Sequence, residues 1–167
     1  MMMRKSRVLE TLRAGGVARS MKVNLSDPKV VEIAAMCGFD AIWLDMEHVP
    51  TDWRTIEDGV RAAKIYDADV VVRVEKASYS DYIRPLEADA AGIIVPHLMS
   101  ADEARRIVRT TRFHPQGLRP VDGGNTDGAY CLLDYREYIK SANANRFICV
   151  QIEDVEAMDE LEEIASI

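Results

Sequence analysis

Polar side chains suited to acid–base chemistry follow two apolar runs of the sequence. Asp45 ends the first run and is followed closely by Glu47 and His48, whereas Arg73 ends the second run. A histidine beside an aspartate can act as a general acid or base, because the carboxylate fixes the tautomer of the imidazole. An arginine can bind a carboxylate and stabilise a developing enolate oxygen. These residues therefore indicate proton transfer next to a carbonyl group.

A further apolar run ends in two oxygen-bearing side chains, Gln151 and Glu153. Their spacing of two residues places both side chains on the same face of a strand. Carboxylate and amide oxygens suit a hard divalent cation, with water molecules completing its octahedron. A metal, an arginine and a histidine–aspartate pair together describe metal-assisted proton transfer, and aldol cleavage is one such reaction.

Each of these residues also has a purely structural explanation. Asp45 could cap the turn after its strand, and Arg73 could pair with Glu75. Glu153 could belong to the cap of the following helix. The functional interpretation is favoured because polar groups collect at the ends of three strands, where a plain core would need none. His97, after a fourth apolar run, could reach the same place but lacks a partner in the sequence.

Short apolar runs alternate with amphipathic stretches along the chain. The runs predict strands at Ser20–Leu25, Ala41–Asp45, Asp69–Val74, Gly92–Pro96 and Phe147–Ile152. The stretches predict helices from Asp27–Pro28 to about Gly38, over Trp53–Tyr66, over Tyr79–Ala88, from the capping box Ser100–Glu103, over Tyr135–Asn143 and from Val155 to Ile164. Residues 113–133 are predicted to form a long loop, and loops of this length often have a function.

Strands that alternate with helices need crossover connections and form a parallel α/β sheet. Such a sheet is either open and doubly wound or part of an eight-stranded (β/α) barrel of the TIM type. A complete barrel usually takes about 250 residues. This chain has 167 residues and contains about the first five β/α units. Residues 1–167 are therefore predicted to form a single, partial domain.

The composition excludes several classes of protein. The 21 basic and 28 acidic residues give a net charge of −7 without a basic cluster, which argues against binding to nucleic acids or anionic membranes. No apolar stretch approaches the ~20 residues of a membrane span. The three cysteines form no close pair, which argues against a disulfide framework. Cys37 and Cys149 have apolar neighbours and are predicted to be buried reduced thiols, as in a cytoplasmic protein.

Several stretches resemble the HpcH/HpaI aldolase family, whose members include 2-dehydro-3-deoxyglucarate aldolase and 4-hydroxy-2-oxoheptanedioate aldolase. The matching stretches occur in the order found in the family and cover essentially the whole chain. They are GFDAIWLDMEHVP, VVVRV, AAGIIVPHLMSADEAR, HPQGLRP and FICVQIEDVEAM. The combination of D-x-E-H with Q-I-E is the most specific part of the resemblance.

The resemblance implies an eight-stranded (β/α) barrel that assembles as a homo-oligomer, typically a hexamer. It implies that His48 and Asp45 form an acid–base dyad acting through a metal-bound water, and that Arg73 binds the pyruvate carbonyl or enolate oxygen. Glu153 would ligate a divalent metal, Mg²⁺, Mn²⁺ or Co²⁺, and Glu47 would order metal-bound water. The implied reaction is reversible aldol cleavage of a 2-keto-3-deoxy or 4-hydroxy-2-keto acid into pyruvate and an aldehyde.

The resemblance also implies residues around the substrate. Gln151 and Pro96 would line its site, and Arg119 would belong to a loop that affects the choice of aldehyde. Pro120 follows Arg119 where the family commonly has glycine, and a second metal-binding aspartate of the family, after a later strand, is absent from this sequence. Two alternatives stay open: a catalytically silent fragment or assembly subunit, and a CoA-thioester lyase of the citrate-lyase-like branch.

Overall fold

A computed structural model describes residues 2–167 and contains a five-stranded parallel sheet. The strands are β1 (Ser20–Val23), β2 (Ala41–Asp45), β3 (Asp69–Arg73), β4 (Gly92–Val95) and β5 (Phe147–Val150). The α-helices are α1 (Arg7–Arg13), α2 (Pro28–Met36), α3 (Trp53–Lys64), α4 (Tyr79–Glu87), α5 (Ala101–Thr111), α6 (Tyr135–Asn145) and α7 (Leu161–Ala165). A 3₁₀ helix, Val155–Glu160, precedes α7.

The strands lie in the order β1-β2-β3-β4-β5, and every neighbouring pair is parallel. A doubly wound sheet reverses its strand order at a switch point, and the described strands contain no such reversal. Helices cover one face of the sheet, as they do on the outside of a (β/α) barrel. The structure thus confirms the predicted partial barrel of five β/α units.

The main core lies between the sheet and its helices. Alternate strand residues such as Ile42, Val72 and Ile93 are fully buried there against Ile56 and Ala63 of α3. Burying one such aliphatic side chain contributes about 1.5–3 kcal/mol. The other set of alternating residues forms a concave inner face, which a complete barrel would enclose. It is lined by Ser20, Ala41, Trp43, Val71, Ile94, Phe147 and Cys149.

The predicted helix starts at α2 and α5 are confirmed. The Asp27 side chain accepts a hydrogen bond from the Lys29 N–H at 2.9 Å, and Pro28 takes the first helical position. The Ser100 hydroxyl accepts a hydrogen bond from the Glu103 N–H at 3.2 Å. These caps satisfy backbone donors that would otherwise have no partner in the first turn. Among residues 2–167, no helix is long and apolar enough to cross a membrane.

Several local predictions were wrong. The first and last strands end two residues earlier than predicted, and α1 was not predicted. All three cysteines are exposed. Cys149 points to the open inner face, whereas its neighbours in β5 point to the opposite side. Side chains alternate in this way along a strand, so apolar neighbours in sequence do not imply burial. Cys37 caps the C-terminus of α2 at the surface.

Acidic residues form an amino-end charge belt, which we define as Asp40, Asp69 and Asp89 with their cationic partners. These aspartates stand where the chain enters or approaches β2, β3 and β4, and each is buried. The cations are Arg7 and Arg19 for the first aspartate, Arg4 for the second, and Lys64 and Arg146 for the third. The belt therefore ties the amino ends of neighbouring strands to the start of the chain and to the helices.

A second, smaller core joins the start of the chain to the segment before β5. Met3 packs with Phe113, Tyr138 and Ala142, and the rings of Phe113 and Tyr138 meet edge to face at 5.2 Å. The backbone carbonyl of Arg4 also accepts a hydrogen bond from Arg146 at 3.2 Å. The amino terminus is therefore fixed against a segment more than a hundred residues away.

Candidate active site

The candidate active site lies at the carboxyl ends of the strands, and its centre is a buried ion pair between β2 and β3. Asp45 and Arg73 are direct partners in the strand register, so their side chains stand next to each other on the inner face. Arg73 Nε and Nη2 donate to the two Asp45 carboxylate oxygens at 2.9 and 2.6 Å. This bidentate geometry fixes the plane of the guanidinium. Asp45 in turn raises the pKa of Arg73, which therefore stays charged.

Three further groups bind the Asp45 carboxylate. The Lys22 ammonium of β1 lies 2.7 Å from Oδ2. The backbone N–H groups of Glu47 and His48 donate to Oδ1 at 3.0 and 3.4 Å, which closes the turn after β2. Burial raises the pKa of Asp45, but hydrogen bonds from Arg73, Lys22 and Glu47 outweigh it and hold this pKa far below its usual range.

An aromatic ring supports both cations of this cluster. Trp43 faces the same side of the sheet as Asp45, two residues earlier in β2. The Lys22 ammonium lies 5.3 Å and the Arg73 guanidinium 5.2 Å from the centre of the Trp43 ring. Both distances are within the range of cation–π attraction. Lys22 and Arg73 are thus held against one ring as well as against one carboxylate.

Glu47 connects the cluster to two histidines. One of its carboxylate oxygens lies 3.1 Å from Arg73 Nη1 and 3.6 Å from His48 Nε2. The other lies 3.5 Å from His97 Nε2. The oxygen nearest Arg73 is buried, yet it makes no well-aligned hydrogen bond within the described residues. A buried carboxylate oxygen in this state can accept a further donor.

The ends of β4 and β5 meet at His97 and Glu153. The His97 backbone N–H donates to Glu153 Oε1 at 2.9 Å, and His97 Nδ1 lies 2.9 Å from Asp154 Oδ2. The hydrogen bond to Asp154 raises the pKa of His97 despite some desolvation. Gln151 Nε2 lies 3.4 Å from Glu153 Oε2, and Gln151 Oε1 is buried without a partner in residues 2–167. Pro96, buried just before His97, completes this side of the site.

The structure places two predicted residues differently from the expected arrangement. The His48 side chain is 66% exposed and lies beside Glu47, so its imidazole makes no direct contact with Asp45; only its backbone does. Arg119 is buried in the long loop, where it donates to Asp127 at 2.8 Å. Arg119 is therefore not brought to the strand ends. Asp127 also accepts a hydrogen bond from Tyr138 at 2.7 Å, which makes this pair part of the smaller core.

The oxygen donors at the strand ends fit only part of a metal coordination sphere. Glu153 supplies a carboxylate, and the free Oε1 of Gln151 supplies a buried oxygen without a partner among residues 2–167. Hard divalent cations prefer such oxygens. However, within the described part of the chain no group of three or more His, Cys, Asp or Glu side chains could hold a metal ion.

Lys22 and Asp154 are functional candidates that the sequence analysis missed. Lys22 lies in β1, which has both polar and apolar residues. Its position on the inner face of the sheet is the one signal that could have identified it. Asp154 follows Glu153 directly and provides the partner that the sequence did not reveal for His97. Both contacts join residues that are distant in sequence, so residue spacing gave no signal for them.

Consecutive parallel strands with polar groups at their carboxyl ends are typical of (β/α)-barrel enzymes. The profile of the HpcH/HpaI aldolase/citrate lyase family matches residues 20–167, and the chain belongs to this family. The predicted family resemblance is therefore confirmed.

The chain is similar to several known members over nearly its whole length. It is 31% identical over 162 residues to hydroxypyruvate/pyruvate aldolase of Pseudomonas aeruginosa, covering 97% of this chain and 60% of the relative. It is 33% identical over 159 residues to 4-hydroxy-2-oxo-heptane-1,7-dioate aldolase of Escherichia coli, covering 93% and 59%. An HpcH/HpaI aldolase structure from Desulfitobacterium hafniense DCB-2 matches with a TM-score of 0.87 and 30% identity, covering 94% and 61%. The chain thus spans about 60% of the length of these relatives.

Proposed function

We propose that the protein is a metal-dependent aldolase that reversibly cleaves a 2-keto-3-deoxy or 4-hydroxy-2-keto acid into pyruvate and an aldehyde. The observation that carries this proposal is the Arg73 guanidinium, which Asp45 holds in a fixed plane at the same end of the sheet as Gln151 and Glu153, the oxygen donors that follow β5. The relatives described above are named as aldolases, which supports carbon–carbon lyase chemistry. A small-molecule keto acid is accordingly the proposed substrate.

Arg73 is the group proposed to bind the keto oxygen. Its guanidinium already has a fixed plane, because Asp45 binds two of its nitrogens. A donor that is positioned before the reaction stabilises a developing enolate oxygen without reorganising. Removing one such donor typically lowers the rate by about 10²- to 10³-fold.

The remaining roles are assigned as follows. Glu153 would be one ligand of a Mg²⁺, Mn²⁺ or Co²⁺ ion, and Gln151 would line the same position. Such an ion, when bound, supplies a Lewis acid that stabilises the enolate. His48 would take or return the proton, with Asp45 fixing its backbone and Glu47 beside its imidazole.

Exchange of the pyruvate methyl protons for deuterium tests this function, because it reports enolate formation without any aldehyde. We expect exchange that depends on Mg²⁺, Mn²⁺ or Co²⁺ and that is lost in His48→Ala and Arg73→Ala. Lys5→Met is the matched control, since Lys5 is exposed and pairs only with Glu10 among the described residues. Absence of exchange with every divalent ion would show that the proposal is wrong.

A catalytically silent fragment or assembly subunit is the second candidate, favoured by the incomplete metal ligand set. It predicts no turnover and weak metal binding, so micromolar Mn²⁺ affinity would count heavily against it. Thermal unfolding distinguishes a CoA-thioester lyase from both of these candidates. A CoA ester would stabilise such a lyase against heat, and pyruvate would not. Homo-oligomer formation, a prediction from the resemblance, is checked by sedimentation.

A further inference from the structure

The chain between β4 and α5 turns sharply at His97. This residue has a φ of +52°, in the left-handed region that residues other than glycine rarely adopt. Such a conformation persists only where the surrounding structure holds it in place. The contacts of residues 97–99 therefore identify the groups that hold this turn.

Two carboxylates bind backbone N–H groups of the turn. The His97 N–H donates to Glu153 Oε1 at 2.9 Å. The Met99 N–H donates to Glu103 Oε2, also at 2.9 Å. Glu153 follows β5 and Glu103 lies in the first turn of α5. The turn is therefore held between the end of one element and the start of another.

Lys76, which follows β3, binds the same turn. Its ammonium donates to the backbone carbonyl of His97 and lies 2.9 Å from Glu103 Oε1. The Lys76 side chain is 25% exposed and that of Glu103 is 14% exposed, so the pair is largely shielded from water. Hydrogen bonds of charged groups are stronger than those between neutral groups. Both backbone polar groups of His97 are thus bound by charged side chains.

The start of α5 does not require this arrangement. In a capping box, the side chain of the third helical residue reaches back to the N–H of the N-cap residue. Here the hydroxyl of the N-cap, Ser100, accepts a hydrogen bond from the Glu103 N–H at 3.2 Å. The Glu103 carboxylate instead binds Met99 and Lys76, one residue further back and on another element. The carboxylate therefore holds the turn rather than the helix end.

The orientation of Glu153 depends on the same turn. One of its oxygens accepts the His97 N–H, and the other lies 3.4 Å from Gln151 Nε2. The second distance is at the outer limit of a hydrogen bond, so the His97 N–H is the stronger of the two contacts. Groups that orient a metal ligand affect metal affinity, because they fix the direction of its lone pairs.

We propose that Lys76 and Glu103 are positioning residues, which hold His97 in its left-handed conformation so that its N–H orients the Glu153 carboxylate towards a divalent cation. The inference rests on the proposed function, in which Glu153 is a metal ligand. It extends that function to two residues that act only through the backbone of the turn.

The amide proton of His97 reports this contact without any metal. A hydrogen bond to a carboxylate moves an amide proton downfield in the NMR spectrum, so Glu153→Gln gives the reference position for a weakened bond. We expect Lys76→Met to move the His97 resonance upfield as well, because the turn loses the cation on its carbonyl. Lys76→Arg should leave the resonance near that of the wild type, since it keeps a charged donor.

Calorimetric titration with Mn²⁺ measures the consequence for metal binding. Lys76→Met and Glu103→Gln should each weaken Mn²⁺ binding by about tenfold, at the lower end of the range for residues behind a metal ligand. The double variant should lose little more than either single variant, because both residues hold the same turn.

Arg105→Met is the matched control. Arg105 is also a cation at α5, but its ion pairs within residues 2–167 are with Asp102 and Glu163. This variant should keep the His97 resonance and the Mn²⁺ affinity of the wild type. Urea unfolding of all variants shows whether a change in affinity follows a change in stability. A loss of stability in Lys76→Met with an unchanged His97 resonance, or with unchanged Mn²⁺ affinity, would overturn the positioning role.

The measurements distinguish this inference from the proposed function. If the wild type exchanges pyruvate protons while Lys76→Met and Glu103→Gln bind Mn²⁺ normally, the aldolase proposal stands and the positioning role fails. If both variants lose Mn²⁺ affinity but the wild type shows no exchange with any divalent ion, the positioning role stands and the aldolase proposal fails. A wild type that binds no divalent ion overturns both.

Discussion

The two ends of the parallel sheet use charged residues in opposite ways. At the amino ends, each aspartate of the charge belt is buried and paired with cations from other elements. At the carboxyl ends, Asp45 is equally well paired, but the groups around it are not. The buried oxygen of Glu47 faces Arg73 without a well-aligned hydrogen bond, and Gln151 Oε1 is buried without a partner in residues 2–167. His48 and Glu153 remain exposed.

This difference separates stability from chemistry within one sheet. A buried charge whose partners are all supplied by the protein holds elements together and has no capacity for a ligand. An oxygen or nitrogen without a partner adds little to stability and is available to a substrate or a cation. Different residues therefore stabilise the fold and provide groups for the reaction. Substitutions can test these two roles separately.

The largest stability effect is expected from Asp69→Asn in the charge belt. Asp69 binds Arg4 and accepts hydrogen bonds from the Ser6 hydroxyl at 2.6 Å and the Val8 N–H at 2.9 Å. Removing its charge should lower the free energy of unfolding by about 3 kcal/mol, because one amide oxygen cannot accept from all the buried donors that the carboxylate binds. Urea unfolding measures the change.

The matched control is Asp67→Asn, which removes the other carboxylate partner of Arg4. Asp67 is 76% exposed, so its loss should cost less than about 1 kcal/mol. Exchange activity per folded molecule should be unchanged in both variants. A loss below 1 kcal/mol in Asp69→Asn would remove the distinction between the two ends of the sheet.

The second effect concerns Glu153→Gln, which keeps the shape of the side chain and removes its charge. We expect Mn²⁺ affinity to fall by at least about tenfold, because the charged ligand is lost. Stability should change by less than about 1 kcal/mol, since the carboxylate is partly exposed and the amide oxygen can still accept the His97 N–H.

Calorimetric titration with Mn²⁺ measures this affinity, and Glu156→Gln serves as control because Glu156 is exposed in the next turn. Equal Mn²⁺ affinities in the two variants would mean that Glu153 is not a metal ligand.

A smaller, pH-dependent effect is expected from Asp40→Asn. A hydrogen bond from the Arg19 N–H and the nearby Arg7 outweigh burial and lower the pKa of Asp40 in the folded protein. The carboxylate therefore stabilises the fold above its unfolded pKa of about 3.9, and this contribution is lost as the pH falls through the folded value. Asp40→Asn should cost about 1 kcal/mol at pH 7.

The stability difference between wild type and Asp40→Asn should shrink as the pH falls from 5 towards 3, as measured by urea unfolding. A difference that stays constant with pH would show that the lost charge is not the cause.

The smallest effect is expected at a site that belongs to neither region. Arg61 pairs with Glu57 and Asp58 on the exposed face of α3. Such surface pairs contribute little, so Arg61→Met should change the free energy of unfolding by less than about 0.5 kcal/mol. A larger loss would mean that surface charges matter as much as the belt, and thermal unfolding at two salt concentrations checks this.

The sequence predicted the β/α alternation and the strand-end polar residues because both leave a local pattern. Apolar runs, caps such as Asp27, and the positions of Asp45, Arg73 and Glu153 are all readable along the chain. The contacts between these groups are not readable in this way. Whether Asp45 meets His48 or Arg73 depends on the register between β2 and β3, which no local pattern specifies.

Burial was also hard to predict for single residues. Arg119 lies in a polar, glycine-rich loop, yet it is buried because Asp127 and the Phe113 ring surround its guanidinium. The partners are several residues away on either side, and the loop must fold back to bring them together. Charge and hydropathy along the sequence describe the average environment of a segment. They do not show where a loop folds back and buries a single residue.

The smaller core has a consequence for the order of events during protein synthesis. Met3 and the backbone carbonyl of Arg4 are made long before their partners Tyr138 and Arg146. Until α6 has emerged, Met3 lacks its partners Tyr138 and Ala142, although Arg4 can already bind Asp69. Contacts with such large sequence separation form late. A growing chain can therefore complete the charge belt at β2 and β3 well before it can complete the smaller core.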